Sequence, residues 1–384
     1  MTTHPIYMDN HATTRVDPRV VEAMLPYFTE KYGNAASVDH VFGSEAANAV
    51  DKARTHIAEL LQVDPRDLIF TSGATEANNL AIKGVMQAAG PGSHLVTAAA
   101  EHRAVLDPAR KLARNGFEVT IVDVDRYGMV TPQNIADAIQ PNTVLVSVMF
   151  ANNEVGTINP IEEIGHICRQ RSVLLHTDAV QAVGKIPVDL TQLPVDLASL
   201  TAHKFHGPKG VGVLFVRRGE PRVRIEPLID GGGHERRLRS GTLPVPQIVG
   251  MGEACRLSSA DQKGESQAVA ALRDRLCSGL SGALSGLHLN GHPEDRLPGN
   301  LNISFENVDG DALMAALSGL AVSSGSACTS ADPEPSHVLR AMGVSESLTR
   351  ASLRFGLSRF NTAEEVDVAI NIVTEAVTRL RQNA

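Results

Sequence analysis

Residues 197–216 read Leu-Ala-Ser-Leu-Thr-Ala-His-Lys-Phe-His-Gly-Pro-Lys-Gly-Val-Gly-Val-Leu-Phe-Val. An apolar run, Leu197–Leu200, stops at Thr201-Ala202-His203-Lys204, turns through Gly-Pro-Lys-Gly, and returns as the apolar run Gly212–Val216. Runs that are apolar throughout, without alternation, mark strands covered on both faces. Outward from this stretch the same signature recurs at Leu68–Thr71, His94–Ala98, Val119–Val122, Val144–Met149 and Val173–His176. Helical patterns lie between the runs. Ala46–Leu61 places Val50, Ile57 and Leu60 on one side, and Glu76–Ala89 does so with Leu80, Ile82 and Met86. Strand–helix alternation of this kind predicts an α/β fold with a mainly parallel sheet and helices on both faces. Ligands in such sheets bind outside the carboxyl ends of the strands, so the residues just after each run carry the interest.

The chain has 384 residues, more than one compact core usually holds, and two domains are expected. Its 35 Lys and Arg against 43 Asp and Glu leave a formal charge of −8. That balance argues against a general nucleic-acid or anionic-membrane binder, which needs a basic surplus. The sequence holds no apolar run of membrane-spanning length, and Met1–Pro5 lacks the basic start of a signal peptide. A cytoplasmic enzyme is the expectation. The chain turns polar over Ser258–Gln267, and a helical face of Val269, Leu272, Leu276 and Leu280 follows, so a second unit begins here. It closes with a helix over Thr362–Arg381, where Thr362 and Glu365 have capping-box spacing.

The four cysteines, Cys168, Cys255, Cys277 and Cys328, include no CxxC pair, so neither a disulfide framework nor a zinc knuckle is indicated. The first three have apolar, helix-like neighbours and read as small packed hydrophobes. Cys328 lies in Ser-Ser-Gly-Ser-Ala-Cys-Thr-Ser, residues 323–330, a small polar stretch where a thiol is reachable.

Lys204, at a strand end beside two histidines, is the strongest chemical signal. A lone lysine is most often a solvated surface group. One enclosed at such a place can lose its charge and form a Schiff base with an aldehyde cofactor. Pyridoxal 5'-phosphate (PLP) needs that lysine and a carboxylate for its ring nitrogen. Asp178, in His176-Thr177-Asp178-Ala179-Val180-Gln181, stands at the same edge, although alone it reads rather as a helix N-cap. Thr71-Ser72-Gly73-Ala74-Thr75-Glu76 joins a strand to a helix with small residues, so backbone N–H groups and the Thr75 hydroxyl can approach a phosphate.

Taken together, Asp9-Asn10-x-Ala12-Thr13-Thr14, Ser72–Glu76, Glu101-His102, Asn152-Asn153-Glu154-x-Gly156, His176-x-Asp178-Ala179-x-Gln181, His203-Lys204, Arg239-Ser240-Gly241-Thr242 and Ser323–Ser330 resemble the cysteine desulfurases. These are fold-type-I PLP enzymes of the class-V aminotransferase family, and the likeness is to the NifS/IscS-like group. It runs in order from about residue 7 to 360. The resemblance implies a large PLP-binding domain, residues 15–256, with a mainly parallel seven-stranded sheet. A smaller α+β domain would combine 1–14 with 257–384 and carry the cysteine loop, 323–335.

Roles follow from the likeness. Lys204 would carry PLP as a Schiff base and move the α-proton, while His102 would stack on the ring and shuttle protons. Asp178 would pair with the ring nitrogen and Gln181 with the phenolic oxygen. Thr75, the backbone of Ala74, Thr201 and His203 would hold the phosphate. Thr242 would reach the phosphate of a neighbouring subunit, which implies a homodimer. Arg354 would clamp the substrate carboxylate together with Asn153; an apolar-flanked arginine could equally be a structural ion pair. L-cysteine would lose its sulfur to the Cys328 thiolate, leaving L-alanine and a persulfide for an acceptor protein such as an iron–sulfur scaffold. Thr201 replaces a common Ser and keeps the hydroxyl, and Arg15 replaces a usual proline at a position without a site role. Relatives serving the general scaffold often extend beyond the point matching Ala384, which leaves the acceptor open. A selenocysteine or cysteine-sulfinate lyase of the same fold is the alternative enzyme, but β-elimination needs no protein thiol. A non-catalytic persulfide relay is the alternative of another class, and the intact Lys204, Asp178 and His102 argue against it.

Overall fold

The computed structural model describes residues 5–324 and 335–383. Cys328 and most of the expected cysteine loop lie outside the described residues. Strands form at all the apolar runs: β1 (Leu68–Thr71), β2 (His94–Ala98), β3 (Glu118–Val122), β4 (Thr143–Ser147), β5 (Leu174–Asp178), β6 (Leu197–Thr201) and β7 (Gly212–Val216). They make one seven-stranded sheet in the order β1-β7-β6-β5-β4-β2-β3. Only β7 runs against its neighbours, β1 and β6, and the other pairings are parallel. The carboxyl ends of six strands and the amino end of β7 therefore share one edge.

Two strands extend further than their apolar runs. Asp178 and Thr201 are the last ladder residues of β5 and β6, paired with Ser199 and Gly212, rather than the first residues beyond them. A terminal polar residue keeps its backbone bonds while its side chain leaves the sheet, which hydropathy alone does not reveal. The helices also start earlier than expected. α1 spans Val41–Leu61 and α2 spans Ala74–Ala89. Both sheet faces are covered, one by a core containing Val50, Phe70, Val146 and Phe215, the other by a core containing Leu80, Met86, Leu145 and Leu214.

α4 (Val245–Ala260) packs on α1, and α5 (Gln262–Ala283) packs on the C-terminal helix α7 (Ala363–Gln382). Between α4 and α5, Asp261 departs from helical geometry and caps α5 by accepting from Gly264 N–H at 3.2 Å. The capping box of Thr362 and Glu365 forms as spaced in the sequence. A four-stranded antiparallel sheet in the order β10-β11-β9-β8 contains β8 (Leu287–Asn290), β9 (Asn300–Phe305), β10 (Ser323–Ser324) and β11 (Ser352–Gly356). Its core joins Met8 to Leu276, Leu301, Phe355 and Val373, so an N-terminal residue is buried among C-terminal ones. Cys168 and Cys255 are buried, and Cys277 is half-buried against that second core.

The N-terminal segment crosses between the two cores. Thr14 N–H donates to His203 O at 2.9 Å, and the His206 ring donates from Nδ1 to Arg15 O at 3.0 Å. Burial lowers His203 and His206 to about 4, with nearby cations adding to the effect. A histidine depressed in the folded state is protonated first in the unfolded chain. Its stabilising contribution is present above the ordinary value near 6.5, falls as pH drops, and is gone below about 4. The thermal midpoint should fall steeply between pH 6.5 and 4, and His206→Gln should flatten that slope. An unchanged slope in the variant would remove His206 from the linkage.

Candidate active site

A cavity of about 530 Å³ opens at the shared edge. β6 delivers Thr201, and a single 3-10 turn, Ala202–Lys204, swings Lys204 into the cavity. Its ammonium donates to His11 O at 2.6 Å and Ala12 O at 2.7 Å, so the segment leading into Ala12-Thr13-Thr14 forms one wall. β5 ends in Asp178, which is buried. No helix begins there, so the N-cap reading fails; its Oδ1 accepts from Val180 N–H at 3.1 Å in a turn. Its Oδ2 accepts from Asn78 Nδ2 at 2.7 Å.

α2 starts without a side-chain cap, because its N-cap is Gly73 at φ 156°. Ala74 and Thr75 thus bring uncapped helix-start N–H groups to the cavity, where an anion is favoured. Close packing makes this possible. A Cβ on Gly212 would sit 2.7 Å from the Gly73 backbone and push the turn away. The Thr201 hydroxyl donates to Val211 O at 2.9 Å, so toward a phosphate it offers a lone pair rather than its proton in this arrangement. His203 lines the same rim, with Nδ1 3.1 Å from Thr13 Oγ1.

His102 is the N-cap of α3 (Arg103–Arg114) and faces the cavity. Its Nδ1 accepts from Ala104 N–H at 3.0 Å, which leaves Nε2 as the atom that carries and exchanges a proton. Burial lowers its pKa, with the Asp178 carboxylate opposing. Arg354, on β11, is buried and lines the opposite wall. It donates to Asp9 Oδ1 at 2.8 Å, Ser323 Oγ at 3.0 Å and Asn153 O at 3.1 Å. The ion-pair reading of Arg354 is therefore realised in this structure, and among the described residues its Nε is a buried donor without a partner. Thr242 stands apart on the exposed surface. Nearby, Arg239 pairs with Glu76 at 2.8 Å, and Glu76 also accepts from Ser72 N–H at 2.8 Å, which braces the Ser72–Thr75 turn.

Several residues that support the site take no role from the sequence, Asn78 and His337 standing outside the quoted motifs and Glu101 and Glu154 inside them. Asn78 supports Asp178 from the buried side of α2, among Ala77, Leu80 and Ala81; an asparagine on an apolar helix face was the available clue. Glu101 and Glu154 are buried, and burial raises both. Glu101 Oε1 accepts from Met149 N–H at 2.6 Å, and Glu154 Oε2 accepts from Ser336 Oγ. His337, at the start of α6 (His337–Ala341), donates from Nε2 to Glu101 O at 2.9 Å.

The donor set suits PLP: an uncapped helix start for a phosphate, a lysine amine for an aldehyde, and a buried carboxylate for a ring nitrogen. On this strand order, that combination defines the fold-type-I PLP enzymes. The chain belongs to the class-V aminotransferase family, whose model matches residues 6–368. It is 56% identical over 379 residues to a protein named cysteine desulfurase IscS from Anaeromyxobacter dehalogenans, covering 98% of this chain and 94% of that one. A solved NifS-like protein superposes with a TM-score of 0.91 at 42% identity, covering 98% of this chain and 100% of that one. A structure described as SspA in complex with cysteine gives 0.82 at 36% identity, with coverages of 93% and 99%.

Proposed function

We propose that this chain is a PLP-dependent cysteine desulfurase. It converts L-cysteine to L-alanine and takes the sulfur onto Cys328 as a persulfide, for iron–sulfur cluster or other thio-cofactor biosynthesis. The observation that carries this reading is a strand register. Ser323 pairs with Arg354 in the β10–β11 ladder, and their side chains are hydrogen-bonded. The strand that leads into the cysteine stretch thus leaves directly from the cavity wall.

When bound, PLP supplies an electron sink that stabilises negative charge at the substrate α-carbon. The protein's residues set the rest. Lys204 anchors the aldehyde and is the base positioned to move the α-proton. Asp178 keeps the ring nitrogen protonated, and Asn78 holds its carboxylate in place. His102 carries protons at Nε2 while its Nδ1 is held by the Ala104 N–H. Gln181 would face the ring oxygen. Ala74, Thr75, Thr201 and His203 would hold the phosphate. Arg354 and Asn153 receive the substrate carboxylate, with the unpartnered Arg354 Nε as a spare donor. The Cβ–S bond of cysteine then breaks as the Cys328 thiolate bonds that sulfur. The bonding pair stays with Cβ, where one proton takes the place of sulfur, and with the α-proton returned the product leaves as alanine.

The same reading takes the protein to be a cytoplasmic homodimer, with the exposed Thr242 completing the partner's phosphate site. It divides the chain into 15–256 and 1–14 with 257–384, the second unit being organised around the core of Met8, Leu301 and Phe355. The acceptor is a protein that takes persulfide sulfur. Incubating the purified protein with L-cysteine, without added thiol, should give alanine and protein-bound sulfur in equal amounts. Mass spectrometry should place that sulfur on Cys328, with L-selenocysteine as competitor. Alanine formed without protein-bound sulfur, or a protein that PLP cannot colour, would remove the assignment.

A further inference from the structure

Beside Lys204 lies a second lysine that the reaction above does not use. Lys185 follows Gln181 by four residues, in the turn after β5, and its ammonium end is 2.6 Å from Gln181 Oε1. The His11 ring reaches the same oxygen with Nδ1 at 2.9 Å, and Lys185 Nζ lies 3.5 Å from that nitrogen. Among the described residues no carboxylate forms an ion pair with Lys185.

The hydrogen-bond chemistry leaves the Gln181 amide one orientation. An ammonium facing the amide must meet its oxygen, since it carries only donors and two N–H groups cannot bond to each other. His11 supplies a second donor to Oε1. The amide nitrogen is therefore directed the other way, where one N–H goes to His11 O at 3.0 Å and the other is left for the cavity that Gln181 lines. We infer that Lys185 is a positioning residue, which together with His11 fixes the Gln181 amide so that it presents an N–H donor to the ring oxygen of the bound cofactor. The inference rests on the PLP reading and specifies what one side chain of that site requires.

Without the lysine, Gln181 can flip and turn its oxygen toward an anionic ring oxygen. Such an oxygen would then hold its shared proton more tightly. The groups facing Lys185 are few. His11 comes from the N-terminal segment, Lys204 from the turn after β6 and Arg354 from β11. Glu265, engaged by Arg359 at 3.0 Å, borders the small cavity of about 30 Å³ that Lys185 and Lys204 share. Burial, then Lys204 and Arg354, push the Lys185 pKa well below its ordinary value.

The test is a pH titration of the holoenzyme's visible absorbance band. Lys185→Met keeps an unbranched stem of the same length to Cε, with sulfur in place of Cδ, and removes the nitrogen. It should raise the titration midpoint by about one unit, the size expected for a lost bond to a charged group. Gln181→Leu should raise it similarly, and the double variant should show no further shift. Lys185→Ala gives the same reading should the Met variant not fold. An unmoved midpoint, or shifts that add in the double variant, would overturn the assignment; addition would mean that Lys185 acts through its own field. A wild-type protein that binds no PLP would instead remove the functional reading itself, so the two failures are told apart.

Discussion

Lys204→Ala should lower alanine formation from L-cysteine by at least about 10⁴-fold, because two functions sit on one nitrogen. The lysine holds the cofactor covalently and is the nearest base to the substrate α-carbon in the proposed arrangement. Its removal leaves no replacement. Lys185 is engaged with Gln181 and His11, and His203 is turned to Thr13. The wild-type protein should show the yellow band of a lysine-linked cofactor, fixed permanently by borohydride. In the variant any bound PLP should wash away after borohydride treatment. The fold should persist. Lys204 donates to the His11 and Ala12 carbonyls, and deleting it leaves those acceptors for water in an open cavity. A loss of about 1–3 kcal/mol is expected, much less than the loss of activity. Wild-type turnover in this variant would dismiss Lys204 from the chemistry.

The parallel sheet was legible because its strands are apolar on both faces. Runs such as Leu68–Thr71 and His94–Ala98 need no tertiary information to be located. Lys204 and Asp178 were legible because each stands where such a run stops. What the sequence hid are the residues whose roles depend on a partner far along the chain. Arg354 looks the same in sequence whether it waits for a substrate or pairs with Asp9, 345 residues away. Asn78 and Lys185 carry meaning only through Asp178 and Gln181, and helix or turn spacing does not supply that contact. Strand ends fell short by a residue or two for the related reason that a terminal polar residue still pairs through its backbone.

Cys328→Ser should keep the coloured cofactor and abolish persulfide formation, with alanine production falling by about 10³-fold or more. A serine hydroxyl is scarcely ionised near neutrality and cannot store sulfur in a form that a second thiol can collect. The two ends of the cysteine stretch support the assignment. Ser323 is bonded to Arg354 at 3.0 Å, and beyond the stretch Ser336 is bonded to Glu154, while His337 reaches Glu101 O at 2.9 Å. Cys328 follows Ser324 by four residues in the sequence. Cys168 and Cys255 are poor substitutes. Burial pushes the Cys168 thiol up to about 12 and raises Cys255 as well, so neither offers a thiolate near neutral pH. Mass spectrometry of the L-cysteine-treated protein should therefore find the added sulfur on Cys328 in the wild type and on neither buried cysteine in the variant. Sulfur mapped to Cys277, or sulfide released by Cys328→Ser at the wild-type rate without added thiol, would transfer the role to another group.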